Sequence, residues 1–171
     1  MHGRLIRSID GGQTWSNVAT VEGEVSSLLV LPQQKTRLLA TSNGQLHVSE
    51  DSGASWRATT HKERFTVLSD AFHSAVVYAG TNQGKLLNSV DNGSTWSVCP
   101  GNFPQGMVMD IAVSIQDPKV IYIAIVGKGI YRSEDQCSSW QEANNGINDM
   151  AIITVSISPI DKKRIYAGSI T

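Results

Sequence analysis

Short apolar runs alternate along the whole chain with clusters of Gly, Asn, Asp, Ser and Pro, the pattern of many short strands joined by tight turns. Read in order, the runs predict a strand over 4–8 and a second over 14–20. A full set of four follows at 26–31, 37–41, 45–49 and 55–60, with Pro32 stopping its first member. The same set returns at 65–69, 75–81, 85–89 and 95–99, and again at 109–114, 120–124, 130–133 and 139–142. Two more strands at 152–158 and 164–169 bring the total to 16. Turn chemistry agrees with these boundaries: Asn43-Gly44, Gln83-Gly84 and Lys128-Gly129 precede third strands, and Asp117-Pro118 and Ser158-Pro159 precede second ones.

One octapeptide recurs in step with the strands. Ser8-Ile9-Asp10-Gly11-Gly12-Gln13-Thr14-Trp15 returns as Ser49 to Trp56, with Asp51 and Gly53, and as Ser89 to Trp96, with Asp91 and Gly93. The last copy, Ser133 to Trp140, keeps Asp135 but has Cys137 in place of the glycine. The aspartates recur at intervals of roughly 40 residues, the range of a repeat architecture. Each copy lies between the third and fourth strands of a set. Ser and Asp side chains there can accept backbone N–H bonds, Gly can supply a positive φ, and Trp can bury its ring beneath the turn. With Cys137 at the glycine place, the fourth turn is expected to be less regular than the others.

These octapeptides resemble the Asp-box (BNR) repeats that occupy the turn between the third and fourth strands of β-propeller blades. The resemblance covers the whole chain and implies an all-β fold, a β-propeller of four-stranded antiparallel blades. It divides a single domain over 1–171 into a half-blade at 3–20, blades at 25–60, 65–99 and 107–142, and a half-blade at 151–171. The two half-blades are complementary. They can pair to close a small ring of four blades, or the chain can be an open piece of a larger propeller with self-association through its edges. The stop at Thr171, directly after a strand, favours the open piece.

Composition narrows the partners. The chain has 14 Lys+Arg against 15 Asp+Glu, a net charge of −1, which gives no reason to expect nucleic acid or an anionic membrane. The longest apolar run, 120–126, is too short to span a bilayer. No basic-then-apolar leader opens the chain, and family resemblance alone points to an extracellular or periplasmic location. Cys99 and Cys137 make no framework, and a bridge between an outer strand and the turn of the next blade is not expected.

Candidate chemistry is sparse. The histidines 2, 47, 61 and 73 show no paired spacing, so neither a metal nor a cofactor is expected. The Asx-rich run 144–149 lacks the alternating ligand spacing of a calcium loop and reads as a solvated loop. Aligning the inner strands gives a row of Ser27, Thr66, Asp110 and Thr154 facing the central channel. Such a row reads either as a solvated channel lining or, at Asp110, as a catalytic or ligand-binding carboxylate with Asp149 on a nearby loop as its partner; hydrolysis would need two such carboxylates. Resemblance also supplies enzyme precedents. Asp117 to Tyr122 followed by Gly129 to Ser133 looks similar to repeats of xyloglucan-degrading endoglucanases, whereas the Phe/Tyr-Arg-Ile-Pro motif of sialidases is missing.

The favoured reading is a non-catalytic scaffold that binds a protein or carbohydrate partner, as in the sortilin-type and photosystem II assembly propellers it resembles. A fragment of a xyloglucanase-like or sialidase-like glycoside hydrolase is the alternative. Because strands alternate in direction, the octapeptide turns share one face with the loops joining first and second strands. The loops between blades share the opposite face, and there Arg64, Phe103 and Asn145 are the binding candidates. Phe103 either anchors a partner or folds back over the blade edge.

Overall fold

The computed structural model describes residues 2–31, 36–72 and 74–170, so Pro32, His73 and Thr171 lie outside the described residues. The chain is all β. The strands are β1 (His2–Arg7), β2 (Ser16–Glu22), β3 (Val25–Val30), β4 (Leu38–Ser42), β5 (Gln45–Ser49), β6 (Arg57–Ala58), β7 (Phe65–Asp70), β8 (Val77–Thr81), β9 (Leu86–Ser89), β10 (Ser97–Val98), β11 (Val108–Val113), β12 (Ile121–Ile125), β13 (Gly129–Ser133), β14 (Gln141–Glu142), β15 (Ile152–Ile157) and β16 (Ile165–Ser169). No helix among the described residues is long and apolar enough to cross a membrane.

Three antiparallel four-stranded sheets, β3-β4-β5-β6, β7-β8-β9-β10 and β11-β12-β13-β14, stand in a row. A two-stranded sheet, β1-β2, precedes them, and another, β15-β16, follows. The inner strands touch in sequence, β3 to β7, β7 to β11 and β11 to β15, as the inner strands of successive propeller blades do. Among the described residues the two-stranded sheets are not joined to each other, so the row is open.

Stacking explains why the middle strands are apolar on both faces. On β8, Val77 and Ala79 pack back onto Leu39, Leu46 and Val48 of the preceding sheet, while Tyr78 points forward into the cluster around Ile121 and Ile123. On β12, Tyr122 and Ala124 in turn point forward to Val155 of β15. Side chains alternate between faces with period 2, so a strand buried on both sides needs apolar residues at every position. Fully burying each such Leu, Ile or Val contributes about 1.5–3 kcal/mol.

The outer strands are shorter than the sequence suggests. β6, β10 and β14 span two residues each, followed by one further bond to the third strand: Thr59 N–H to Leu46 O (2.8 Å), Cys99 N–H to Leu86 O (2.9 Å) and Ala143 N–H to Ile130 O (2.9 Å). Apolar residues there, such as Val98, stay exposed, so nothing packs the strand further.

All four octapeptides fold alike. In the second copy Ser49 Oγ donates to Asp51 Oδ1 (2.8 Å) and accepts the Gly53 N–H (2.8 Å). Asp51 Oδ1 accepts the Ser55 N–H (2.8 Å) and Oδ2 the Ser55 hydroxyl (2.6 Å). The fourth copy is as regular as the others, contrary to expectation. Cys137 N–H reaches Ser133 Oγ (3.0 Å), and Cys137 adopts φ 66° where Gly53 has φ 86°. A residue with a Cβ is strained in that region by about 1–2 kcal/mol.

The strain accompanies the largest departure from the sequence reading: Cys99 and Cys137 form a disulfide, with Cα atoms 5.6 Å apart. Their proximity is no accident of neighbouring blades. Val18, three residues after Trp15, lies 3.8 Å from the position a Cβ would take on Gly53 of the next octapeptide. Cys99 stands three residues after Trp96, so the same contact between repeats has become covalent.

Burial of the tryptophans is graded rather than uniform. Trp140 is 3% exposed and meets Phe103 edge-on at 5.4 Å, and Trp96 packs on Phe65 at 5.5 Å. Trp15 is 62% exposed, because the β1-β2 sheet offers no inner strand to cover it.

Candidate functional site on the loop face

Backbone hydrogen bonds fix two faces. The octapeptides are tied to the loops between first and second strands: Ser52 N–H to Thr36 O (2.7 Å), Asn92 N–H to Ala75 O (3.0 Å) and Gln136 N–H to Lys119 O (3.1 Å). At the opposite end, turns between second and third strands are tied to the segments entering each sheet. Asn43 N–H meets Glu24 O, Asn82 N–H meets Arg64 O and Val126 N–H meets Met107 O, each at 3.0 Å.

On this second face a cleft of about 410 Å³ opens where the inner strands of all three full sheets begin. Its walls include Glu24, Ser26, Asn43, Arg64, Asn82, Met107 and Met109. A smaller recess of about 350 Å³, with Glu22, Gln45, His61, Lys62 and Glu63, adjoins it through Asn43, Gly44 and Arg64. Arg64 therefore divides the two. Its guanidinium donates to Asn43 O (3.0 Å) and lies 3.1–3.2 Å from where a Cβ on Gly44 would stand. Gly44 has φ 80°, a conformation that favours glycine. Glu63 is paired with Lys85 Nζ at 2.9 Å, which leaves Arg64 as the cation between the two recesses.

Arg64 is exposed on this face, and Asn145 is exposed beside a separate apolar recess lined by Tyr122, Ile130, Ile147 and Ile165. Phe103 folds back: it is half-buried against Trp140, and Asn102 Oδ1 accepts the Trp140 N–H (3.3 Å). In the Asx-rich run, Asn144 is structural. Its Oδ1 accepts the Ile130 N–H (2.7 Å), and its Nδ2 donates to Lys128 O and Glu142 Oε1. Among the described residues no group of three His, Cys, Asp or Glu could hold a metal ion.

The inner-strand row needs correcting. A register shift in every first-to-second strand pair aligns Ser27, Val67, Asp110 and Thr154, and Thr66 falls on the shifted position beside it. The row also ties neighbouring inner strands together. Ser27 Oγ accepts the Leu68 N–H of the next sheet (3.1 Å), and Asp110 Oδ2 accepts the Val155 N–H (2.9 Å) and the Thr154 hydroxyl (2.7 Å). Val67 cannot accept, and Asp110 Oδ1 takes the Ile111 N–H itself (2.9 Å). One carboxylate thus serves the edges of two sheets. Asp149 Oδ1 accepts the Ala151 N–H (2.9 Å) at the entrance to β15.

Sequence reading missed Glu24, Asn43, Asn82, Met107 and Met109. A signal was present: Ser42-Asn43-x-Gln and Thr81-Asn82-x-Gly place an Asn at the same turn of two successive repeats.

The opposite face carries the perturbed carboxylates. Asp10, Asp51 and Asp135 are each held down to about 2, first by the hydroxyls of Thr14, Ser55 and Ser139 and then by the same residues' N–H groups. For Asp91 burial is the largest single influence and acts upward, but bonds from Thr95, Ser89 and Ser94 together outweigh it and give about 2. These folded values lie below the unfolded 3.8, so the stabilisation is complete above that value and is lost as pH falls through about 2. Urea unfolding at stepped pH should show midpoints falling between pH 4 and 2, with a shallower fall in Asp51→Asn. An equal slope in that variant would contradict the assignment.

A sequence profile of the DUF6242 beta propeller domain matches residues 8–141. No curated protein matches the chain by sequence. Among solved structures, the GH74 xyloglucanase from Xanthomonas campestris superposes with TM-score 0.75 at 15% identity over 96% of this chain. The GH74 enzyme from Niastella koreensis gives 0.70 at 19% over 99%, and YCF48 bound to D1 peptide gives 0.69 at 16% over 97%. The chain spans 32%, 27% and 54% of those three proteins respectively.

Proposed function

We propose that this chain, which belongs to the DUF6242 beta propeller domain family, is a non-catalytic scaffold that binds a peptide segment of a protein partner on its loop face. Its octapeptides are then Asp boxes in the structural sense, turns that hold third and fourth strands together. One observation carries the reading. The cleft on the loop face combines amides, Glu24 and the Arg64 guanidinium with two methionines, groups that suit polar backbone and adaptable apolar side chains. The likeness to YCF48, seen with a bound peptide, supports it. The disulfide suits an oxidising compartment, in keeping with an extracellular or periplasmic scaffold.

Panning a random-peptide phage library on the immobilised chain tests this. Arg64→Ala should weaken the selected peptides roughly tenfold, the loss of about 1.4 kcal/mol from a charge-assisted contact. Gln13→Ala, on the octapeptide face, should leave them unchanged. Selected peptides indifferent to Arg64 but sensitive to Gln13 would place binding on the wrong face.

A glycoside hydrolase is the second reading, favoured by the xyloglucanase-like run at 117–122 and 129–133. It needs two carboxylates flanking a glycosidic bond. Release of reducing ends from xyloglucan by the chain, abolished in Asp110→Asn, would establish it over the scaffold.

A further inference from the structure

We infer that the loop-face cleft reads its peptide one sheet at a time, as a basic, an acidic and a large apolar side chain at every second position of an extended segment. This deepens the scaffold reading and rests on it. The closing measurements separate failure of the order from failure of the cleft.

The first observation is that three successive full sheets build the cleft from the same two positions. One is the residue whose carbonyl receives the N–H of the turn between second and third strands: Glu24, Arg64 and Met107, each bonded at 3.0 Å. The other lies two residues further on, at Ser26, Thr66 and Met109. All six line the cleft.

Second, the later position carries the same irregularity each time. In β3, Val25 faces Ser42 and Ser27 faces Thr41, so Ser26 has no place in the ladder. Thr66 is passed over in the same way between Phe65 and Val67, and Met109 between Val108 and Asp110. A bulge of this kind re-aims the extra side chain and is a common device beside binding sites. The two hydroxyls are held within the protein. Ser26 Oγ is bonded to Thr41 Oγ1 (2.7 Å), and Thr66 Oγ1 donates to Val108 O (2.6 Å). What distinguishes the first sheet from the second is therefore charge.

Third, the chemistry changes from sheet to sheet. The first offers a carboxylate, the second a guanidinium and the third two thioethers. Glu24 and Arg64 are exposed, and among the described residues neither has an ion-pair partner. A carboxylate in that state suits an ammonium or guanidinium of a ligand, and a guanidinium grips a carboxylate through two parallel bonds. Methionines adapt to apolar side chains of varied shape.

Spacing fits an extended ligand. Neighbouring inner strands approach within 8 Å, Cα to Cα. Alternate side chains of an extended chain stand about 7 Å apart. A segment crossing the starts of β3, β7 and β11 thus offers one side chain to each sheet. Its backbone is left to the amides of Asn43 and Asn82. The complementary order is cation, acid, apolar.

Calorimetric titration with synthetic serine-based heptapeptides, blocked at both ends, tests this. Lysine, glutamate and leucine at the second, fourth and sixth positions make the matched peptide, and its reversed sequence covers the opposite chain direction. Interchanging lysine and glutamate in each gives the mismatched pair. One matched peptide should bind roughly tenfold tighter than either mismatched one, the worth of a charge-assisted contact. Glu24→Arg with Arg64→Glu should invert that preference while the circular dichroism spectrum and thermal unfolding stay parental. Independently, Glu24→Gln should remove the preference for lysine over serine, and Met107→Glu should make lysine outrank leucine at the apolar position. Equal binding of matched and mismatched peptides by the parent overturns the inference, whatever the variants do. So does a folded double variant that keeps the parental preference. If none of the four peptides binds while phage-selected peptides still depend on Arg64, the order is wrong and the scaffold reading stands. If the selected peptides are indifferent to Arg64 as well, both fall.

Discussion

Reducing the Cys99–Cys137 disulfide is expected to cost this protein about 4 kcal/mol of stability, more than any single side-chain change on its surface. The bridge closes a loop between residues separated by 38 positions. Chain-entropy accounting for a loop of that size gives about 4 kcal/mol at room temperature. Reduction also leaves Cys137 in a left-handed conformation with the bond from its N–H to Ser133 Oγ but without the sulfur bridge. Cys99→Ala with Cys137→Gly should therefore lose less than Cys99→Ala with Cys137→Ala, by about 1 kcal/mol, because glycine tolerates that backbone freely. Guanidinium unfolding of both double variants, beside the reduced and oxidised parent, checks the ordering. Equal stability of the two variants would mean that the fourth turn relaxes away from φ 66° once the sulfur is gone.

Asp110→Ala should be the most damaging change to a single polar side chain, at about 2–3 kcal/mol. Three donors, the Ile111 and Val155 N–H groups and the Thr154 hydroxyl, lose their acceptor at once in a partly buried seam. Unsatisfied buried donors cost about 1–3 kcal/mol each, and water will recover part of that here. Asp110→Asn keeps an acceptor oxygen but presents an amide to one set of donors, so its loss should be smaller. Thermal unfolding of the two variants, with Ser27→Ala as a single-bond comparison, separates these cases. If Asp110→Ala unfolds at the parental temperature, the seam is not what joins β11 to β15.

Most of the architecture was legible because its signals are local and repeated. The octapeptide with its flanking apolar runs placed every strand set, and the direction of alternating strands correctly predicted which loops share a face. What escaped detection depends on contacts between repeats. The disulfide joins the position three residues after Trp96 to the turn of the next sheet, and Val18, three residues after Trp15, meets Gly53 in the same way without any cysteine. Reading the repeats as neighbours rather than as a list would have paired Cys99 with Cys137. Thr66 was placed one residue early, since the register aligns Val67 with Ser27, Asp110 and Thr154, and the alternation of apolar residues alone does not fix the register between repeats. The cleft around Arg64 draws its walls from segments flanking three inner strands, so no single stretch of sequence announces it.

That no middle strand keeps a solvent face has a consequence for how the molecule comes apart. A sheet cannot detach from its neighbour without wetting an entire apolar surface, so breathing motions are confined to outer strands, loops and the two-stranded sheets. The sulfur bridge fastens the second full sheet to the third, which makes that pair the slowest-exchanging body of the chain and the natural nucleus from which the row would reassemble.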